Sequence, residues 1–144
     1  MTTFLLTSEL YKLNRMSLFV DQNPAIEIRF KFRMIQDGGI EFLSAESDEE
    51  CDEIICACKG RDFDTMSRVL EDSTIINHIT GNAMVRTRNL YRGIVCNFVK
   101  MWNLKDEKTE KQIPITPEVV GQMHDEIPRA IAREWLKKTG RRNR

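Results

Sequence analysis

The chain has 144 residues, room for one compact domain and little more. Lysine plus arginine balance aspartate plus glutamate at 22 each, which argues against bulk electrostatic binding to nucleic acid. No apolar run approaches the roughly 18 residues of a helical membrane span, and the start MTTFLLTSEL lacks a basic region and a small-residue cleavage site, so a cytoplasmic protein without a secretory signal is expected.

The balanced charge is unevenly placed. Glu46, Asp48, Glu49, Glu50, Asp52 and Glu53 form an acidic block, and Lys137, Lys138, Arg141, Arg142 and Arg144 a basic end. A solvated helix start and a frayed tail explain both. A pair of complementary patches for self-association or for a partner is the sharper reading. The cysteines, Cys51, Cys56, Cys58 and Cys96, fit no paired zinc-ligand spacing and read as reduced, apolar core residues.

Up to residue 24 two patterns compete. Leu10, Leu13 and Met16 suit a short helix after Ser8, while Ser17 to Val20 suits a strand. From Ile26 the pattern is plain: Ile26, Ile28, Phe30, Phe32 and Met34 alternate with Glu27, Arg29, Lys31 and Arg33. A period of two predicts a strand with one buried face. Asp37, Gly38 and Gly39 supply a turn, and Ile40, Glu41 and Phe42 resume the alternation, which predicts a β-hairpin over about 25–43.

Helix is expected over about 47–102. Ser47 and Glu50 have capping-box spacing, and Cys51, Ile54, Ile55 and Cys58 fall at i, i+3, i+4 and i+7. Gly60 suits a stop. A second helix is expected from Asp62 or Asp64, with Met66, Val69 and Leu70 inward. Ser73 or Thr74 suits the cap of a third, with Ile75, Ile76, Ile79 and Ala83, then Leu90, Ile94, Val95, Phe98 and Trp102 inward, and Gly81-Asn82 as a possible break. From Lys105 to Gln112 no apolar residue occurs, so a solvated, mobile arm is expected. Thr116 as N-cap and Pro117 as first helical residue restart a helical segment over about 116–138, which Pro128 kinks or divides. The expected fold is α+β: a single, mostly α-helical domain with an N-terminal β-hairpin packed on a helical bundle.

No catalytic or metal constellation emerges. His78 and His124 lack metal-ligand spacing, the Gly38-Gly39 pair has no phosphate-loop continuation, and Cys96 sits among apolar residues without a histidine. No cofactor is expected. Arg86, Arg88 and Arg92 read as a solvated face, yet Arg88 and Arg92, one turn apart, also suit an acidic partner or the Glu46–Glu53 block. Trp102 and Trp135 read either as core or as exposed anchors, and Met123 as an adaptable contact.

The segment RTRNLYRGIVCNFVKMW, the polar arm KDEKTEK and the element IPITPE that opens a final helix together resemble the small tail assembly chaperones of long-tailed bacteriophages, over about residues 84–136. Many such proteins carry a glycine in the arm, where this chain has none. The resemblance implies a non-enzymatic protein of virion morphogenesis in the infected host cell. Its partner would be the tape-measure protein, which it coats before the tail tube polymerises. A longer form often arises by ribosomal frameshifting near the end of the reading frame, and Lys137-Lys138 mark a place for slippery codons. Partner-binding candidates are then Arg86, Arg88, Arg92, Trp102, Met123 and Trp135. The competing readings are a phage or prophage regulator that binds nucleic acid or a host protein, and a self-assembling tail or head-connector protein.

Overall fold

The protein is described by a computed structural model over Val20 and residues 23–140. The helix expected after Ser8, the strand expected over Ser17 to Val20 except for Val20 itself, and the arginines at 141, 142 and 144 fall outside the described residues. Strand β1 (Ile26–Met34) and strand β2 (Ile40–Leu43) form the expected hairpin, registered Lys31 to Leu43 through Met34 to Ile40. Gly38 takes φ +86°, a conformation that side chains disfavour, and the Ile35 N–H donates to the Gly39 carbonyl at 3.0 Å.

The chain is not mostly helical. Helix takes 36% of the described residues and strand 27%, and the hairpin belongs to a four-stranded antiparallel sheet in which β1 lies between β2 and a strand over Asp52–Cys58, with a strand over Val99–Trp102 at the far edge. The first correction is β3 (Asp52–Cys58), which replaces the helix expected after Ser47. Ile54, Cys56 and Cys58 are buried and alternate with Glu53, Ile55 and Ala57, so a period of two was present beneath the helical spacing. The apolar Ile55 on the outer face disguised it. Tertiary structure decides between the patterns. β2 covers only the Lys31–Met34 part of β1, and the opposite edge of β1 needs backbone partners, which β3 supplies from Ile26–Cys58 to Phe32–Asp52. The acidic block is the loop before β3 and its first residues. Its ion pairs, Glu49 to Arg33 and Glu53 to Arg29, go to β1 and not to Arg88 or Arg92.

Helix α1 (Phe63–Ser73) begins as expected: Asp62 is the N-cap and accepts from the Thr65 N–H at 3.0 Å. The nearly buried Lys59 places Nζ 2.9 Å from Asp62 Oδ1. Burial disfavours ionised Asp62, but hydrogen bonds from Lys59 and Thr65 outweigh it and bring the carboxyl from 3.8 down to about 2. The folded value lies below the unfolded one, so this stabilisation is present above about pH 3.8 and is lost as pH falls through about 2. Asp62→Asn keeps a capping side chain and removes the charge. Its unfolding free energy is expected to fall less steeply than the wild type's across that acid window. Parallel curves in denaturant titrations at stepped pH would show that the ion pair adds nothing.

The expected third helix over residues 75–102 is a second correction. It divides into strand β4 (Thr74–Ile76), strand β5 (Ala83–Val85), helix α2 (Thr87–Phe98) and strand β6 (Val99–Trp102). Ser73 and Thr74 hydroxyls donate to the Val69 and Leu70 carbonyls, at 2.7 and 2.6 Å, and the helix stops there. The Asn77 side chain accepts from the Ile79 and Thr80 N–H groups, and Gly81 at φ +76° completes the turn between β4 and β5. β6 pairs with β3, Cys56 opposite Trp102, with a bulge at Ala57/Cys58. Asn103 continues this edge with its side chain, accepting from Ile55 N–H at 2.9 Å and donating to Glu53 O at 2.7 Å.

Residues 105–112 fold into an exposed turn. Lys105 bridges Gln112, and Asp106 Oδ1 accepts from the Lys108 and Thr109 N–H groups. Thr116 then caps helix α3 (Pro117–Gln122), and Pro128 lies in the first turn of a separate helix α4 (Glu126–Thr139). One face of the sheet, with Ile28, Ile54, Cys56 and Cys58, shares a core with Ile94, Val95 and Phe98 of α2 and Ile131 and Trp135 of α4. The opposite face of β1 carries exposed ion pairs, each worth at most about 1 kcal/mol.

Cys56 and Cys58 are buried together as alternate residues of β3, which a helix would have separated. Burial pushes their thiols up to about 12 and about 11. Both are expected to resist alkylation at pH 8 until the protein unfolds, while the half-buried Cys51 reacts first. Mass-spectrometric mapping of the labelled residues checks this, and early labelling of Cys56 or Cys58 would refute the strand.

Candidate functional site

One groove, of about 1000 Å³, concentrates positive charge on a chain whose net charge is zero. Its walls are the N-terminal part of α2 and the first half of α4, and its floor is the end of α3 with Met123. Arg86, Arg88 and Arg92 enter from the α2 side, and Arg129 and Arg133, one helical turn apart, from α4. Asp125 is the carboxylate of the lining. Buried Val120, half-buried Met123, Tyr91 and Pro128 give the groove an apolar component.

Local contacts divide the five guanidinium groups into two sets. Arg129 pairs with Asp125, Arg133 Nε donates to Tyr91 Oη at 3.3 Å above the ring, and Arg92 donates to Asn89 Oδ1 at 3.3 Å. Arg86 and Arg88 are exposed, and neither side chain has a hydrogen bond or ion pair among the described residues. They flank the start of α2, whose first turn carries neither an acidic residue nor a side-chain cap. The partial positive charge of that helix end therefore adds to theirs.

Four candidates named from the sequence, Arg86, Arg88, Arg92 and Met123, converge here. Trp102 and Trp135 do not. Trp102 is 4% exposed and donates Nε1–H to the Ile113 carbonyl at 2.7 Å. Trp135 is fully buried, stacked on Phe98 at 4.1 Å between ring centroids, with its Nε1–H on the Lys59 carbonyl at 2.9 Å. Both indoles are spent inside the molecule, so neither serves as an exposed anchor. Arg129 and Arg133 are not among the residues the sequence singles out, because the denser run of basic residues lies beyond them, from Lys137 onward. Their i, i+4 spacing, the same as Arg88 and Arg92, was the available signal.

A second surface stands out for the opposite reason. The β4–β5 hairpin leaves Ile76, Met84 and Val85 exposed and Ile79 at its tip 96% exposed. Among the described residues no group of three histidine, cysteine, aspartate or glutamate side chains is arranged to hold a metal, and no helix is long and apolar enough to cross a membrane. Comparison with protein-family models, curated proteins and solved structures finds no match.

Proposed function

We propose that the chain is a non-enzymatic binding protein whose arginine-lined groove holds an acidic polypeptide segment. The convergence of five arginines on one apolar-floored groove carries this reading. Guanidinium groups stay protonated at any physiological pH, so they recognise carboxylates well and exchange protons poorly. Asp125, the other titratable partner in the wall, is engaged with Arg129. The groove has one aromatic ring, Tyr91, and Arg133 covers it. A stacking platform for unpaired bases needs exposed rings, so a protein partner is favoured over single-stranded nucleic acid.

The specific form of this reading is a phage tail assembly chaperone with the tape-measure protein as client. It draws on the sequence pattern around Arg86–Trp102 and Ile113–Glu118. The exposed apolar hairpin with its flexible Met84 supports it, because long helical clients present apolar stripes that aggregate unless covered. Co-expression tests it: the chain is expected to keep a tape-measure protein soluble and to co-purify with it. A client equally insoluble with and without the chain would overturn the chaperone reading.

A further inference from the structure

We infer that the groove also takes the acidic β2–β3 loop of a second copy of this chain, so that the protein associates head to tail. This shares the groove with the proposed function and adds its regulation, since loop and client would compete for the same arginines.

The loop, residues 44–51, is ordered by its own contacts. Ser44 Oγ donates to Glu46 and accepts from the Glu46 N–H, Ser47 Oγ accepts from the Glu49 N–H at 3.2 Å, and Lys31 Nζ holds the Ser47 carbonyl at 3.1 Å. Its backbone therefore loses little freedom on docking. Asp48 and Glu50 are exposed and have no ion pair among the described residues, as is true of Arg86 and Arg88 in the groove. Within one molecule no ion pair joins the two sets among the described residues, and the loop's third acid, Glu49, pairs with Arg33 of β1. The protein thus carries an exposed acidic loop and a basic groove on different elements. Carboxylate and guanidinium are complementary in charge and in hydrogen bonding, so the loop of one copy suits the groove of another. The two contacting patches differ, so the contact is heterologous and leaves one groove and one loop free at the ends.

Sedimentation velocity of the full chain tests this, at about 0.05 M and about 0.5 M salt, where screening differs severalfold. Wild type is expected to grow in mass with concentration at low salt and to revert to monomer at high salt. Arg86→Gln with Arg88→Gln removes the groove charges, and Asp48→Asn with Glu50→Gln removes those of the loop. Each double variant, folded by circular dichroism, is expected to stay monomeric alone. Mixed, they are expected to form a 1:1 complex, because one retains the loop and the other the groove. A monomeric wild type at low salt, association surviving in either variant, or no complex on mixing would each overturn the inference. Client capture separates the two claims: the loop variant, relieved of the competing loop, is expected to hold client at least as tightly as wild type. Loss of capture by wild type and loop variant alike would fall on the proposed function and leave the self-association standing.

Discussion

Trp135→Ala is expected to lower the unfolding free energy by about 3–5 kcal/mol, the cost of truncating a large buried aromatic. The indole touches most of what joins the layers. It stacks on Phe98 of α2, lies 5.3 Å beneath the Arg61 guanidinium, and donates to the Lys59 carbonyl just beyond β3. Removal opens a cavity between helix and sheet and takes the indole hydrogen bond from that carbonyl. Trp135→Phe keeps a ring against Phe98 and loses the hydrogen bond, so a smaller loss of about 1–3 kcal/mol is expected. Urea unfolding followed by circular dichroism measures both. A Trp135→Ala protein as stable as wild type would mean that α4 does not dock through this residue, and the groove, whose wall is α4, would fall with it.

Arg86→Glu with Arg88→Glu is expected to weaken client binding by about a hundredfold at low salt, with the loss shrinking as salt rises. Both positions are exposed and make no side-chain bonds among the described residues, so stability should change by no more than about 0.5 kcal/mol. The contrast with Trp135 is the point of the pair: one substitution moves stability, the other moves recognition. Titration of the client by fluorescence anisotropy, beside thermal unfolding of the same samples, gives both readouts. A parallel variant, Ile79→Ser with Met84→Ser, probes the exposed hairpin. Binding lost there and intact in the arginine variant would transfer the client site from the groove to the hairpin.

The first hairpin was legible because its evidence is local. Alternation from Ile26 to Met34 and a glycine able to take positive φ are properties of a short window. The same holds for the caps at Asp62 and Thr116, where one side chain satisfies a nearby backbone N–H. The arginine pair at 88 and 92 and Met123 were also visible as candidates.

The sequence by itself therefore determined the turn of the first hairpin, the caps at Asp62 and Thr116 and the buried face of β1. It left open the state of short apolar runs, which satisfy either period when both faces carry an apolar residue. Asp52 to Cys58 and Thr74 to Ile76 became strands because of partners: the bare edge of β1 for the first, and Ala83–Val85 across the turn for the second. Partner backbone is distant in sequence, so no local window contains it. Val99 to Trp102 likewise left the helix for the open edge of β3, which placed Trp102 in the core. The groove is the clearest case. Arg88 and Arg129 lie 41 positions apart, and only the packing of α2 against α4 gathers their charges on one surface. Like charges do not collect spontaneously. They are held there by the apolar contacts of Ile94, Val95, Phe98, Ile131 and Trp135 beneath them.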